Sequence, residues 1–345
     1  MSLSVTPSPR AFAGSPIIAT LSGIGSAFPA GSKMRMVNIV VSSSGRTLEF
    51  QGEYADGDFV CDISSAARAF LFGLNYTPIV NGNDDMSGFK TDMSVQYYLS
   101  YMLDGKFIKG GKLPASGYPS ITVYPGSFSE IERLSGNTIS GPFVLSRKPA
   151  GEIVGVGHQS LLTLLDDNLD HLILRITHNQ VGSSAVAVDP DVLEDEPVDS
   201  SELSSYSRSV YVEHGPRRHR FLFVNSYGAL EDASALALEA KQVALSKTTY
   251  RRHEAPSYVP TSGMMARSTS ASMRYTMSSG AVTTEWAQWW ATEFLGSEQH
   301  WMLIGDKWIP VVVSSKSDST SIVNLSSTTP SSIDFEVQVA LKGVL

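Results

Sequence analysis

Hydrophobic and polar positions alternate with a period of two along most of this chain. Short runs such as MVNIVVSS, GRTLEFQGEY and DFVCDIS are separated by Ser-Gly-Arg and Ala-Asp-Gly-Asp turns, the signature of antiparallel strands. SVQYYLSYML and GKFIKGG follow, joined at Asp104-Gly105 as a hairpin signal, and the pattern continues to ITVYPG. Ser64 opens a brief helix through SAARAFLFG. The period changes decisively only near the end. There VTTEWAQWWATEFLG places Trp286, Trp289, Trp290 and Phe294 at i, i+3, i+4 and i+8, the apolar stripe of a helix lying on a sheet. Thr283 or Thr284 can cap its start and Gly296 can end it. HWMLIGDKWIPVVVSS then reads as a hairpin turning at Gly305 and Asp306, and IDFEVQVAL alternates Ile333, Phe335, Val337 and Val339 on one face.

These elements predict a mainly β protein of two or three antiparallel sandwich-like domains with a few short helices and one amphipathic tryptophan-rich helix near the C-terminus. Residues 1–12, rich in Ser, Thr and Pro, read as a flexible arm. A β-sandwich-like domain is expected over 13–146 and a second β-rich domain over 147–250, starting after Arg147-Lys148-Pro149-Ala150-Gly151. The latter holds SLLTLLDDN, HLILRITHN, SVYVEH and RFLFVNSYG, and an acidic loop over 189–205. A C-terminal β domain over 251–345 carries the helix at 284–295.

With 345 residues, 42% hydrophobic and 17% charged, the chain has ample material for such cores. Its net charge of −8 argues against a general nucleic-acid surface, since phosphate affinity is supplied by Lys and Arg. Cys61 is the sole cysteine, which excludes an intramolecular disulfide and any cysteine-built metal centre. The opening MSLSVTPSPRAFAGSPII lacks a basic lead and an unbroken apolar run, so no signal peptide is expected, and no window suggests membrane insertion. A soluble protein made in the cytoplasm is the expectation.

Reaction machinery is not evident. There is no Gly-x-Ser-x-Gly elbow, no His-Glu-x-x-His helix and no phosphate-binding Gly-x-x-x-x-Gly-Lys loop, and the pairs Gly23, Gly25 and Gly155, Gly157 lack the third glycine of a dinucleotide site. No cofactor or catalytic residue is expected. Asn81, Asn83, Asp84 and Asp85, and separately Asp189, Asp191, Glu194, Asp195 and Glu196, offer oxygen ligands that suit calcium, but neither group has the register of an EF-hand. A solvated turn is the default reading for both. His158, His171 and His178 read as turn or strand residues and not zinc ligands. Arg217, Arg218 and Arg220, in HGPRRHR, are the candidate partner-binding residues, because arginine forks suit anionic contacts on a neighbouring subunit. Trp308, beside a predicted turn, is the candidate for stacking on a sugar, and of Tyr97, Tyr98 and Tyr101 at least one should point outward from its strand.

The segments AFAGSPIIATL, FQGEYADGDFVCDISSAARAF, SLLTLLDDN, RFLFVNSYGALE and WWATEFLGSEQHWMLIGDKWIPVVV, in this order, span most of the chain. Together they resemble phage-type tail or baseplate structural proteins found in prophage-like regions of gut Bacteroidetes. The resemblance implies linked β-sandwich modules that assemble into symmetric virion or tail-like particles, with copies of the chain and other tail proteins as partners and no catalytic residue to carry over. The expected role is therefore a non-enzymatic structural component. A carbohydrate-binding or adhesion module with a glycan as ligand is the first alternative, and a hydrolase using an Asp/Glu pair brought together in space is the second.

Overall fold

A computed structural model describes residues 1–72, 74–81, 89–114, 117–137, 139, 143–165, 171–187, 207–213, 218–238, 242–251, 264–315 and 332–341. The protein is mainly β, with strands gathered into three units.

The first unit packs two sheets face to face. Ser2–Thr6, Ile18–Ser22 and Phe59–Asp62 form a three-stranded antiparallel sheet. The larger sheet runs in the order Arg10–Phe12, Ser120–Tyr124, Thr91–Leu103, Lys33–Ser43, Arg46–Glu53, with Lys106–Lys109 as a hairpin on Thr91–Leu103. Ile17, Leu21, Val37, Ile39, Val41, Met93 and Val95 fill the space between the sheets, and helix Ser64–Leu71 closes one side with Ala67 and Phe70. The alternation read along these strands is what puts those side chains on one face. At the hairpin, Asp104 and Gly105 both take positive φ, +50° and +76°, as a two-residue turn matched to the strand twist requires.

One expectation changes here. Residues 1–12 are not a loose arm. Ser2–Thr6 pairs with Ile18–Ser22, and Arg10–Phe12 runs parallel to Ser120–Tyr124 with Phe12 wholly buried. Prolines 7 and 9 fall between the two strands, so they break neither ladder. The tyrosine strand puts its rings on both faces, as its alternation requires. Tyr97 enters the core, while Tyr98 is covered on the opposite face by Lys109, 4.3 Å from its ring, and donates to Glu49 Oε2 at 3.0 Å.

The middle unit is a small sandwich. Phe143–Val144, Gln159–Leu165 and His171–Thr177 form one sheet, and Glu152–Gly155, Ser207–Glu213 and Gly182–Ala187 the other, with Leu162, Leu164, Val154, Val210 and Val212 between them.

The third unit is a closed barrel. The strand path Leu230–Ala237, Arg218–Val224, His300–Ile304, Lys307–Ser315, Asp334–Leu341, Met264–Ser278 returns to its start through Leu236 paired with Ser278 and Ala237 with Met277, and Gln242–Arg251 adds to the outside of Met264–Ser278. Closure leaves the six barrel strands without free edges over the paired stretch. The boundary expected at residue 250 therefore lies inside one sheet, because strands before and after it are hydrogen-bonded neighbours.

The tryptophan helix connects two barrel strands and enters the barrel instead of covering an open sheet. Thr283 caps it by accepting from the Trp286 amide, the α-helical part is Thr284–Trp289, and Trp290–Phe294 continues as a π turn closed by Leu295 N donating to Trp290 O at 2.9 Å. The wider turn keeps both Trp290 and Phe294 pointing inward. Phe294 touches Phe221, Phe223 and Phe335 with ring centroids 5.3–5.5 Å apart, and these come from strands that are not neighbours in the barrel. A single side chain meeting separate walls must lie within the barrel's mouth. Among the described residues, no helix is long and apolar enough to cross a membrane.

Candidate functional site: a buried charge junction and the surface it holds

The three units meet where Pro125-Gly126-Ser127, leaving the first unit, crosses the barrel turn Asn225–Gly228. Ser127 N donates to Ser226 O at 2.8 Å. The crossing depends on two glycines. A Cβ on Gly126 would run into the Tyr227 backbone, and one on Gly228 would come within 2.6 Å of Pro125 Cβ; both residues also have positive φ. Phe12, Tyr124, Leu145, Leu165 and Tyr227 bury the surrounding apolar surface, and Tyr76 donates to Gly228 O at 2.8 Å.

The segment between the first and middle units lays two cations across this contact. Arg147 Nε donates to Glu132 Oε1 at 3.2 Å, and Nη2 to Glu132 and, at 3.3 Å, to Ser127 O. Nη1 donates to the Ser226 hydroxyl and to Glu293 Oε1 at 3.0 Å, and the guanidinium lies 4.2 Å from the Tyr227 ring. One side chain thus ties the linker helix Glu130–Leu134, the barrel turn and the tryptophan helix. Burial alone would raise the Glu132 pKa, but hydrogen bonds from Arg147, Tyr227 and Ser129 hold it down to about 2.

Lys148 turns the other way and its side chain is 0% exposed. Its ammonium lies 2.5 Å from Glu152 Oε1 and 3.1 Å from Asp232 Oδ2, and donates to Asp232 O at 2.8 Å. Arg208 Nη2 reaches Glu152 Oε2 at 3.2 Å, and Asp232 Oδ1 accepts from Leu161 N at 2.8 Å. Next to them Glu231 accepts from Ser146 and, at 3.2 Å, from Asn225 Nδ2. Burial pushes Glu231 up to about 7 against the pull of Lys148, Ser146, Arg208 and Asn225. Burial also raises Glu152, while Asp232 is held low, because Lys148, Arg208 and the Leu161 amide outweigh its desolvation. Removing one member of such a buried cluster leaves an opposite charge behind and is costly, so the cluster fixes how the linker, middle sandwich and barrel sit together.

The junction also holds a piece of surface. Helix Glu130–Leu134 is only five residues long and buries none of them, so packing does not stabilise it. A capping box does: Ser129 Oγ accepts from Glu132 N, and Glu132 accepts from Ser129 N at 2.7 Å. With Glu132 turned in to Arg147 and Tyr227, Ile131 and Leu134 face outward, 78% and 73% exposed.

The residues singled out in the sequence fall mostly outside this region. Arg217 lies outside the described residues. Arg218, expected to contact a partner, has its side chain 8% exposed and is engaged within its own chain, where Nε donates to Glu213 at 2.8 Å and Nη1 to Ser234 O at 3.4 Å. Arg220 is half-buried and sits 5.5 Å from the ring of Trp308, so the stacking face proposed for a sugar is shared with the chain's own arginine. Asn81 is exposed; Asn83, Asp84, Asp85 and the whole 189–205 stretch with Asp189, Asp191, Glu194, Asp195 and Glu196 lie outside the described residues. No group of three or more His, Cys, Asp or Glu suited to a metal occurs among the described residues. His158 follows a turn and His178 ends a strand, with His178 Nε2 2.9 Å from Ser160 Oγ; burial lowers both pKa values, His158 to about 4. Glu152 and Asp232 are carboxylates far apart in sequence that do meet, but on a shared ammonium inside the protein.

The reading of residue types missed Lys148, Glu231, Asp232 and Glu293, although each left a trace. Glu231 and Asp232 interrupt the apolar run GALEDASALAL, and Glu293 falls on the buried stripe of the tryptophan helix, seven residues after Trp286. Charges placed where a core is expected need partners, and Arg147-Lys148 in a charge-poor chain supply them. The chain matches no known protein family and no curated protein.

Proposed function

We propose that this protein is a non-enzymatic structural subunit of a phage tail or tail-like assembly, acting through subunit contacts in a symmetric oligomer. The tail or baseplate setting rests on the ordered segments described above. The contact role rests on one observation: a helix too short to stand alone is pinned by Glu132, and the pinning turns Ile131 and Leu134 out to solvent. An apolar pair held rigid before a partner arrives loses little conformational entropy on docking, which favours tight assembly. The neighbours would be further copies of this chain and other proteins of the particle.

Light scattering of the purified protein over a concentration series tests this reading. A discrete oligomer is expected, with Ile131→Ser/Leu134→Ser shifted toward monomer, and the two proteins should melt alike at concentrations low enough for both to be monomeric. Wild-type protein that stays monomeric throughout, or a double variant that assembles as well as wild type, would overturn it.

A further inference from the structure

We propose that Arg220, with Arg175 and His158 beside it, forms a binding site for a small doubly charged oxyanion of the phosphate type, on the outer wall of the barrel at its seam with the middle sandwich. The strand pleat sets the place. Phe221 and Phe223 fill the barrel, so Arg220 and Leu222 stand on its outside. Leu222 packs there with Leu161 and Ile173 of the middle sandwich, and Arg175 shares a strand face with Ile173 two residues away. Each wall of the apolar seam thus carries a cation. Their fields overlap, for Arg175 repels Arg220, and Arg220 and Arg218 both repel His158.

Arg220 differs from its neighbours in having its donors unspent. Arg218 is held by Glu213 and Ser234 O, and Arg175 gives Nη2 to Ile79 O at 3.0 Å. Among the described residues Arg220 has the Trp308 ring, 5.5 Å from its guanidinium, but no hydrogen-bond acceptor. Asp232, whose charge reaches it, already has Oδ2 on Lys148 and Oδ1 on Leu161 N. The Arg220 nitrogens do not belong to the fully enclosed polar atoms, so an anion from solvent can touch them. A guanidinium steadied on an aromatic face presents a fixed fork that matches two oxygens of a phosphate or a carboxylate. The surrounding charge decides between the two. Burial and Arg175 weigh against the charge on Arg220, and burial, Arg220 and Arg218 weigh against a proton on His158, so a dianion relieves more repulsion than a monoanion. This inference is independent of the assembly reading.

The test uses the full chain, with inorganic phosphate and sulfate as probes, acetate as the singly charged control and chloride to hold ionic strength constant. Saturable binding in the range of about 1–10 mM is expected from a rise in melting temperature, as for any ligand held only by the folded state. Sulfate stays doubly charged on acidification and should move the His158 pKa upward from about 4, read from the ring resonance that His158→Gln removes. Arg220→Gln breaks no hydrogen bond within the chain; it should weaken phosphate at least about tenfold and abolish the effect of sulfate on His158. Arg220→Lys keeps the charge without the fork and should fall between Gln and wild type, which carries the test if Arg220→Gln does not fold. The proposal would be overturned if phosphate and sulfate did no more than chloride, or if acetate bound as well as they do. It would equally fall if Arg220→Gln, or Arg220→Lys in its place, bound phosphate like wild type.

Discussion

The barrel and the junction are both buried, and they are held together by opposite means. In the barrel, Phe221, Phe223, Phe294, Phe335 and three tryptophans supply non-directional apolar burial that tolerates small shifts of position. In the junction, Lys148, Glu152, Asp232, Arg208 and Arg147 supply directional contacts that lose their value once a partner moves. The barrel therefore stabilises its own unit, whereas the junction fixes one unit against another. The difference predicts that core truncations and junction substitutions of equal cost differ in what they disturb.

The largest effect is expected at the glycine crossing. Gly126→Ala puts a methyl into the Tyr227 backbone at a positive φ, so the first unit cannot dock on the barrel; limited proteolysis should cut rapidly between the units, and a wild-type pattern would refute the close approach. Next come two substitutions of matched cost. Phe294→Ala and Lys148→Ala should each lose about 3–5 kcal/mol in denaturant unfolding, the first through a cavity and the second through carboxylates left without their cation. Only the second should be relieved by Asp232→Asn, which removes the carboxylate charge left over, keeps an acceptor for the Leu161 amide and leaves Glu152 to Arg208, and lack of relief would show that the ion cluster is not what Lys148 serves.

The pH dependence separates the regions further. Glu231, raised from 4.5 to about 7, contributes stability that is fully present below about 4.5 and lost as pH rises through 7. Glu231→Gln should therefore gain on wild type over that window, by up to about 3 kcal/mol. His158, lowered from 6.5 to about 4, acts in the opposite sense, losing stability as pH falls through that range, and it cancels because both proteins contain it. Parallel curves for the two proteins would argue against a neutral Glu231. Glu132, held at about 2, contributes above its ordinary value of 4.5 and should release the Ile131–Leu134 helix as pH falls toward 2. The smallest effect on stability is expected at that surface. With both proteins dilute enough to be monomeric, Ile131→Ser/Leu134→Ser should change unfolding by less than about 0.5 kcal/mol, and a larger loss would mean the pair packs within its own chain.

The sequence by itself determined the elements. The period-two runs marked the strands, Asp104-Gly105 and Gly305-Asp306 marked their hairpins, and the i, i+3, i+4, i+8 stripe marked the helix, because these patterns act over a few residues and a backbone's local geometry answers to them directly. Only the tertiary structure decided that the last sheet closes, that the helix sits within its mouth and that Arg10–Phe12 pairs with the distant strand Ser120–Tyr124. Closure rests on two residue pairs, Leu236 with Ser278 and Ala237 with Met277, which no local pattern distinguishes from any other strand end. The junction was legible only as misplaced charge: acids in an apolar strand and on an apolar stripe, with cations in a linker. That Lys148 meets Glu152 and Asp232, and Arg147 meets Glu132 and Glu293, follows from how three units dock, since a buried charge dictates that it must have a partner and leaves the fold to say which.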